Sequence, residues 1–220
     1  MRIAIAIALL SIGALSQVMS SQAQDVVGKI LPDGNPRRLV MPKRSERESV
    51  IHQLRATRAT AQGEHAQQVV FLLAVLGADY ERNRDYLLWV LKGCEVPEIK
   101  HGCDDMTGEY LIYLYEHGHP EILAPLLSSS VKDYSAAGSE GLGGFFSELV
   151  AKSPNAFLDA VRSFPASTQR KMCYFAGAAD GGGMSPADLR KVRNQLGAMN
   201  DEIARRCLRQ IEQANKPEQR

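Results

Sequence analysis

The side chains best suited to chemistry gather in the middle of the chain: His101, Cys103, Asp104, Asp105, His117 and His119. Imidazole, thiolate and carboxylate are zinc ligands, and histidine with aspartate is also the minimum kit of a hydrolase. The spacing matches neither use. There is no His-Glu-x-x-His and no paired Cys-x-x-Cys. His117 and His119, two apart around Gly118, fall at a predicted helix end, where histidine satisfies carbonyls and the helix dipole. The expectation is therefore no metal, no cofactor and no assigned catalytic residue. A His/Asp hydrolase drawing on His101, Asp104, Asp105, His117 and His119 is the alternative.

Other motifs reduce to structure. Asp180-Gly181-Gly182-Gly183 lacks the lysine and hydroxyl of a phosphate loop and the acidic ligand series of a calcium loop. It reads as a turn, followed by Ser185 as a helix cap and Pro186 at the first helical position. Trp89, Tyr86, Tyr110 and Tyr113 together are a candidate interaction surface, because tyrosine and tryptophan combine contact area with a polar tip. Tyr110 and Tyr113 are three apart and share a helix face, which also suits core packing.

How the cysteines are read depends on the N-terminus. Met1 and Arg2, an apolar run from Ile3 to about Leu15, and Ser21-Gln22-Ala23 have the three-part form of a secretory signal, cleaved after Ala23. The run is well short of the roughly 20 apolar residues that span a bilayer. No stable membrane insertion is expected, and the address is periplasmic or secreted. In an oxidising compartment Cys94, Cys103, Cys173 and Cys207 are expected as two disulfides. Four cysteines allow three pairings. Cys94 with Cys103 and Cys173 with Cys207 is favoured, since Cys207 shares an apolar stripe with Ile203, Leu208 and Ile211.

The full chain carries 26 Lys and Arg against 25 Asp and Glu. Removing the signal deletes one arginine and no acid, so the mature chain is formally neutral and nucleic acid is not an expected partner. Residues 24–45 hold Pro32, Pro36 and Pro42 among several cations and read as an irregular arm or linker. One reading of those cations is contact with anionic lipid headgroups or wall polymers; the other is a solvated linker.

From residue 46 to 214 apolar residues recur three and four apart, with no sustained alternation. This predicts a single all-α domain of about 8–10 helices in stacked antiparallel hairpins, then a flexible tail over 215–220. Ser45 and Glu48 have capping-box spacing at its start. Leu114 to Leu126 superposes on Leu149 to Val161 at a shift of 35 residues, pairing Ile122 with Phe157, Leu123 with Leu158 and Leu126 with Val161. Such a period belongs to two-helix repeats. An ordinary helical bundle is the alternative.

Gly118-His119-Pro120-Glu121-Ile122-Leu123-Ala124-Pro125-Leu126-Leu127 resembles the junction and second helix of an ankyrin repeat. The likeness covers some 20 residues. It departs where Glu109-Tyr110-Leu111-Ile112 replaces the Thr-Pro-Leu-His start, and at Pro125, whose ring is expected to bend the second helix. An ankyrin-like or HEAT-like stack implies a broad concave surface for protein–protein contact. The functional expectation is an exported helical-repeat module that binds another protein or an envelope component, with an inhibitor or immunity protein as one form.

Overall fold

The computed structural model describes residues 26–93, 106–130, 136–179 and 181–216, with only the backbone for Gly93, Ser130 and residues 136–140. The proposed signal, Cys94, His101, Cys103, Asp104, Asp105 and Asp180 lie outside them. Among the described residues the protein is all-α, with no strand. It divides into two compact units, Met1–Leu87 and Leu88–Arg220, where the sequence suggests one domain. The division falls inside a helix, with no proline or glycine run to announce it.

In the first unit residues 26–30 are helical (α1), followed by 3-10 turns at Pro32–Gly34 and Pro36–Arg38. Each proline starts its turn, where a missing N–H costs nothing. Asn35 caps the second turn through Arg37 N, at 2.9 Å. Val27, Ile30 and Leu31 are buried, so this stretch is a folded part of the core and not the loose arm its prolines suggest. Residues 39–43 have no regular structure, and 44–46 form a turn.

Helices α2 (Arg47–Arg58) and α3 (Gly63–Val75) follow, and α4 (Tyr80–Gly93) runs from this unit into the second. The cap of α2 is Glu46 and not Ser45, with no side-chain cap bond; the Glu46 carboxylate accepts from Lys43 N at 3.3 Å instead. α3 is apolar nearly all round, and Val69 through Leu73 are buried. Such a helix must be covered on every side, and α2 covers one with Ile51 and Leu54. α3 ends at Gly77, whose φ of +66° is the left-handed cap conformation. Asn83 closes the corner by donating to Ala78 O at 2.8 Å.

The second unit contains α5 (Met106–Glu116), α6 (Leu123–Ser130), α7 (Ala136–Lys152), α8 (Pro154–Arg162), α9 (Ala166–Ala178), α10 (Pro186–Ala198) and α11 (Glu202–Ala214). α5 packs on α7 and α6 on α8, so two hairpins lie side by side as neighbouring repeats do. The residues matched by the 35-residue shift, Leu114 and Leu149, Ile122 and Phe157, Leu123 and Leu158, and Leu126 and Val161, are all buried, which is compatible with a helical-repeat arrangement. Pro125 is the third residue of α6, where its N–H would have had no intrahelical partner, so no bend is needed. Beyond α8 the stack closes on itself, with α10 returning to α7 and α8.

α9 and α11 form the tightest seam of this unit, bonded through Cys173 and Cys207 with Cα atoms 5.0 Å apart. The expected partner of Cys94, Cys103, lies outside the described residues as Cys94 does. The helices approach closely because Gly177 lies against Ile211, where a Cβ would sit 2.7 Å from Ile211 Cα. Gly143 in α7 likewise faces the carbonyl of Ala179, leaving no room for a side chain. Glycines in a helix thus serve close backbone approach here. Asn215, expected in a loose tail, ties the seam together. Its amide donates to Gly177 O and Ile211 O, both at 2.8 Å, and its carbonyl accepts from Met184 N at 2.7 Å. Ser185 caps α10 through Asp188 N, and Asp201 caps α11 through Ile203 N.

Candidate interaction surface

His117 and His119 sit where helix α5 ends, and their surroundings account for them. His117 N bonds back to Tyr113 O, its Nδ1 lies 2.7 Å from the same carbonyl, and its ring stacks on Tyr113 at 3.8 Å between centroids. Gly118, at φ +104°, lets the chain turn so that His119 N reaches Leu114 O at 3.2 Å. This is the long-range bond of a Schellman cap. His119 Nδ1 lies 3.5 Å from Glu121 Oε1. Among the described residues no three His, Cys, Asp or Glu side chains come close enough to share a metal ion.

The four aromatics have different environments. Tyr110 is wholly buried, because its position in α5 faces the packed hairpin; it is a core residue and is withdrawn from the surface. Tyr113 is half-buried, and desolvation pushes its hydroxyl above the usual tyrosine value. Tyr115 is raised for the same reason, and by Glu116 beside it, while its ring meets Phe145 edge-on at 5.7 Å. Tyr86 lies under the Arg58 guanidinium, 4.4 Å from the ring centroid, a cation–π contact that occupies its face. Trp89 is 59 % exposed.

The first unit carries a feature that motif reasoning passed over. Arg44, Arg47, Glu48, Ile51, Arg55, Leu76, Gly77 and Ala78 line a groove of about 550 Å³ between the start of α2 and the corner after α3. Arg47 closes one wall by donating to Leu76 O at 2.8 Å, satisfying a carbonyl that the end of α3 leaves open. Arg55 is held by Asp79 at 3.0 Å, and Asp79 sits at φ +50° in the corner. Arg44 has no such tie among the described residues, and it is exposed. Three guanidinium groups meet two carboxylates here, Glu48 in the lining and Asp79 on Arg55, so the excess of one positive charge favours an anionic group and Arg44 is the cation left to meet it.

Immediately before Arg44 the chain presents Val40 and Met41, 56 % and 51 % exposed. The backbone is pinned at this point, Val40 N donating to Ile30 O at 2.8 Å. Residues 37–44 include Arg37, Arg38, Lys43 and Arg44 and no carboxylate, although Arg38 pairs with Asp33 at 2.5 Å. The proline-rich composition was the visible signal; the exposure of Val40 and Met41 was not, because both read as ordinary apolar residues. No helix among the described residues is long and apolar enough to cross a membrane. No family model, characterised protein or solved structure matches this chain.

Proposed function

We propose that the protein is an exported helical-repeat module that binds another protein or an envelope component, of which an inhibitor or immunity protein would be one form. The observation that carries the reading is the side-by-side packing of the hairpins α5/α6 and α7/α8 with their equivalent apolar residues turned inward. Repeats stacked this way expose matching outer faces in register, and such faces recognise extended partners without a deep pocket. The buried bridge between Cys173 and Cys207 accords with an oxidising compartment, and the Ser21-Gln22-Ala23 segment with cleavage on export.

Cross-linking in intact cells through the exposed Lys152 at the end of α7, followed by mass spectrometry, tests both parts. The expected result is a mature chain beginning at Gln24 and a recurrent envelope partner attached through Lys152. A chain retaining Met1 inside the cell, or cross-links no different from those of the reduced and unfolded chain, would overturn the reading.

A further inference from the structure

We infer that residues 37–44, with the adjoining arginine groove, dock the protein on an anionic membrane surface: Val40 and Met41 enter the headgroup layer while Lys43, Arg44 and their neighbours meet lipid phosphates. This deepens the envelope-binding part of the proposed function by naming the component.

Three observations converge on this edge. Val40 and Met41 are adjacent, and each is more than half exposed. Apolar side chains at such a point contribute binding by leaving water for the interfacial region, as one face of an amphipathic segment does. The hydrogen bond from Val40 N to Ile30 O holds them on a folded base, so little ordering is needed on contact.

Charge supplies the second observation. The mature chain is formally neutral, yet residues 37–44 hold four cations and no carboxylate; Arg38 is paired with Asp33, while Lys43 and Arg44 are exposed beside the apolar tip. An anionic bilayer attracts each nearby cation by about 1 kcal/mol, or about fivefold in affinity. Cations flanking an exposed apolar tip are the arrangement a membrane surface selects, whereas a solvated linker has no use for the tip.

The groove is the third. Arg44 follows Met41 by three residues, so the two Cα atoms are at most about 11 Å apart. That reach keeps Arg44, on the groove wall, at the level of the headgroups when Met41 is inserted. Guanidinium forks suit phosphate oxygens. Glu48, on the same wall, limits how much negative charge the groove accepts.

The test is sedimentation of the oxidised full-length mature protein with vesicles of phosphatidylcholine alone or of phosphatidylcholine with phosphatidylglycerol, at low and high salt, with glycerol phosphate as a soluble competitor. Binding to the anionic vesicles only, weakened by salt, is expected. Val40→Ser with Met41→Ser should lower it about tenfold or more, and Lys43→Gln with Arg44→Gln about tenfold or more. All four positions are exposed, so helical circular dichroism should not change. Competition by glycerol phosphate would assign the headgroup to the groove, and lack of competition would assign binding to the bilayer surface; the docking edge is the same in both. Equal binding to neutral vesicles would overturn the inference, as would no binding at all or binding indifferent to Val40→Ser with Met41→Ser. If vesicles fail while Lys152 still cross-links to a protein partner, the module reading stands and the membrane inference falls.

Discussion

Gly177→Ala tests the claim that the α9–α11 seam owes its closeness to missing side chains. Within a helix this exchange normally stabilises by up to about 1 kcal/mol, because alanine orders the backbone at lower entropic cost. Here the added Cβ would lie 2.7 Å from Ile211 Cα, 3.0 Å from Ile211 O and 3.2 Å from Ala214 Cβ. Ordinary contact begins near 3.4 Å, so the helices must part by roughly 0.7 Å against a dispersion-packed face. The bridge between Cys173 and Cys207 and the Asn215 hydrogen bonds resist that parting. Overpacking of this kind costs about 1–3 kcal/mol, which outweighs the propensity gain. The clash is with backbone atoms, which puts the cost in the upper part of that range, so the net loss of about 1–2 kcal/mol lowers the midpoint of the second unit by about 3–8 °C. Gly197→Ala is the matched control. Gly197 is exposed near the end of α10, and its Cβ would meet only Leu208 Cδ2 at 4.0 Å, so a gain of a few tenths of a kcal/mol is expected. Thermal unfolding by circular dichroism, with hydrogen exchange reporting α9 and α11 separately from the first unit, reads both. Gly177→Ala proving as stable as wild type, or shifted in the same direction as Gly197→Ala, would refute the close-approach argument.

Cys173→Ala with Cys207→Ala should destabilise the second unit by about 3.8 kcal/mol on the chain-entropy model, given the 34-residue separation; urea midpoints with and without reductant measure it. Both cysteines are buried, so alkylation should require unfolding as well as reduction. Asn215→Ala leaves Met184 N and Gly177 O without their partner and should cost about 1–3 kcal/mol, visible as faster amide exchange at Met184. The Arg162 guanidinium, followed by the bond from Ile203 N, holds the Asp201 carboxyl below its ordinary value of 3.8. A depressed carboxyl stabilises the fold above that value and loses its contribution as the pH falls through the folded-state value. Asp201→Asn, which keeps the cap, should therefore flatten the loss of stability below pH 3.8; superimposable acid limbs would contradict the assignment.

Helical class was legible because apolar spacing is a local signal, and the residues that the 35-residue shift matches, Leu123 and Leu158 among them, are buried. Cys207 was legible as an inward residue for the same reason, lying on the stripe with Ile211. What pattern could not reach was set by long-range geometry. Nothing near Asn215 in sequence points to Gly177 or Met184, and Gly143 is a close-approach residue only because Ala179 comes to meet it. Ser45 and Glu48 had the spacing of a capping box, yet the helix begins two residues after Ser45 and Glu46 turns back to Lys43 N. The prolines at 32 and 36 looked like breakers and act as starters of two 3-10 turns. The docking edge was hardest to see, because whether Val40 and Met41 point outward depends on what the rest of the unit covers.

The seam also places a constraint on synthesis. α11 lies C-terminal to every element it covers, and α9 presents Met172, Cys173 and Ala176 to be covered. Until α11 emerges, a growing chain displays that apolar face together with an unpaired thiol. Chains stopped before Glu202 would carry both marks, which are the features that chaperones and proteases recognise in unfinished proteins.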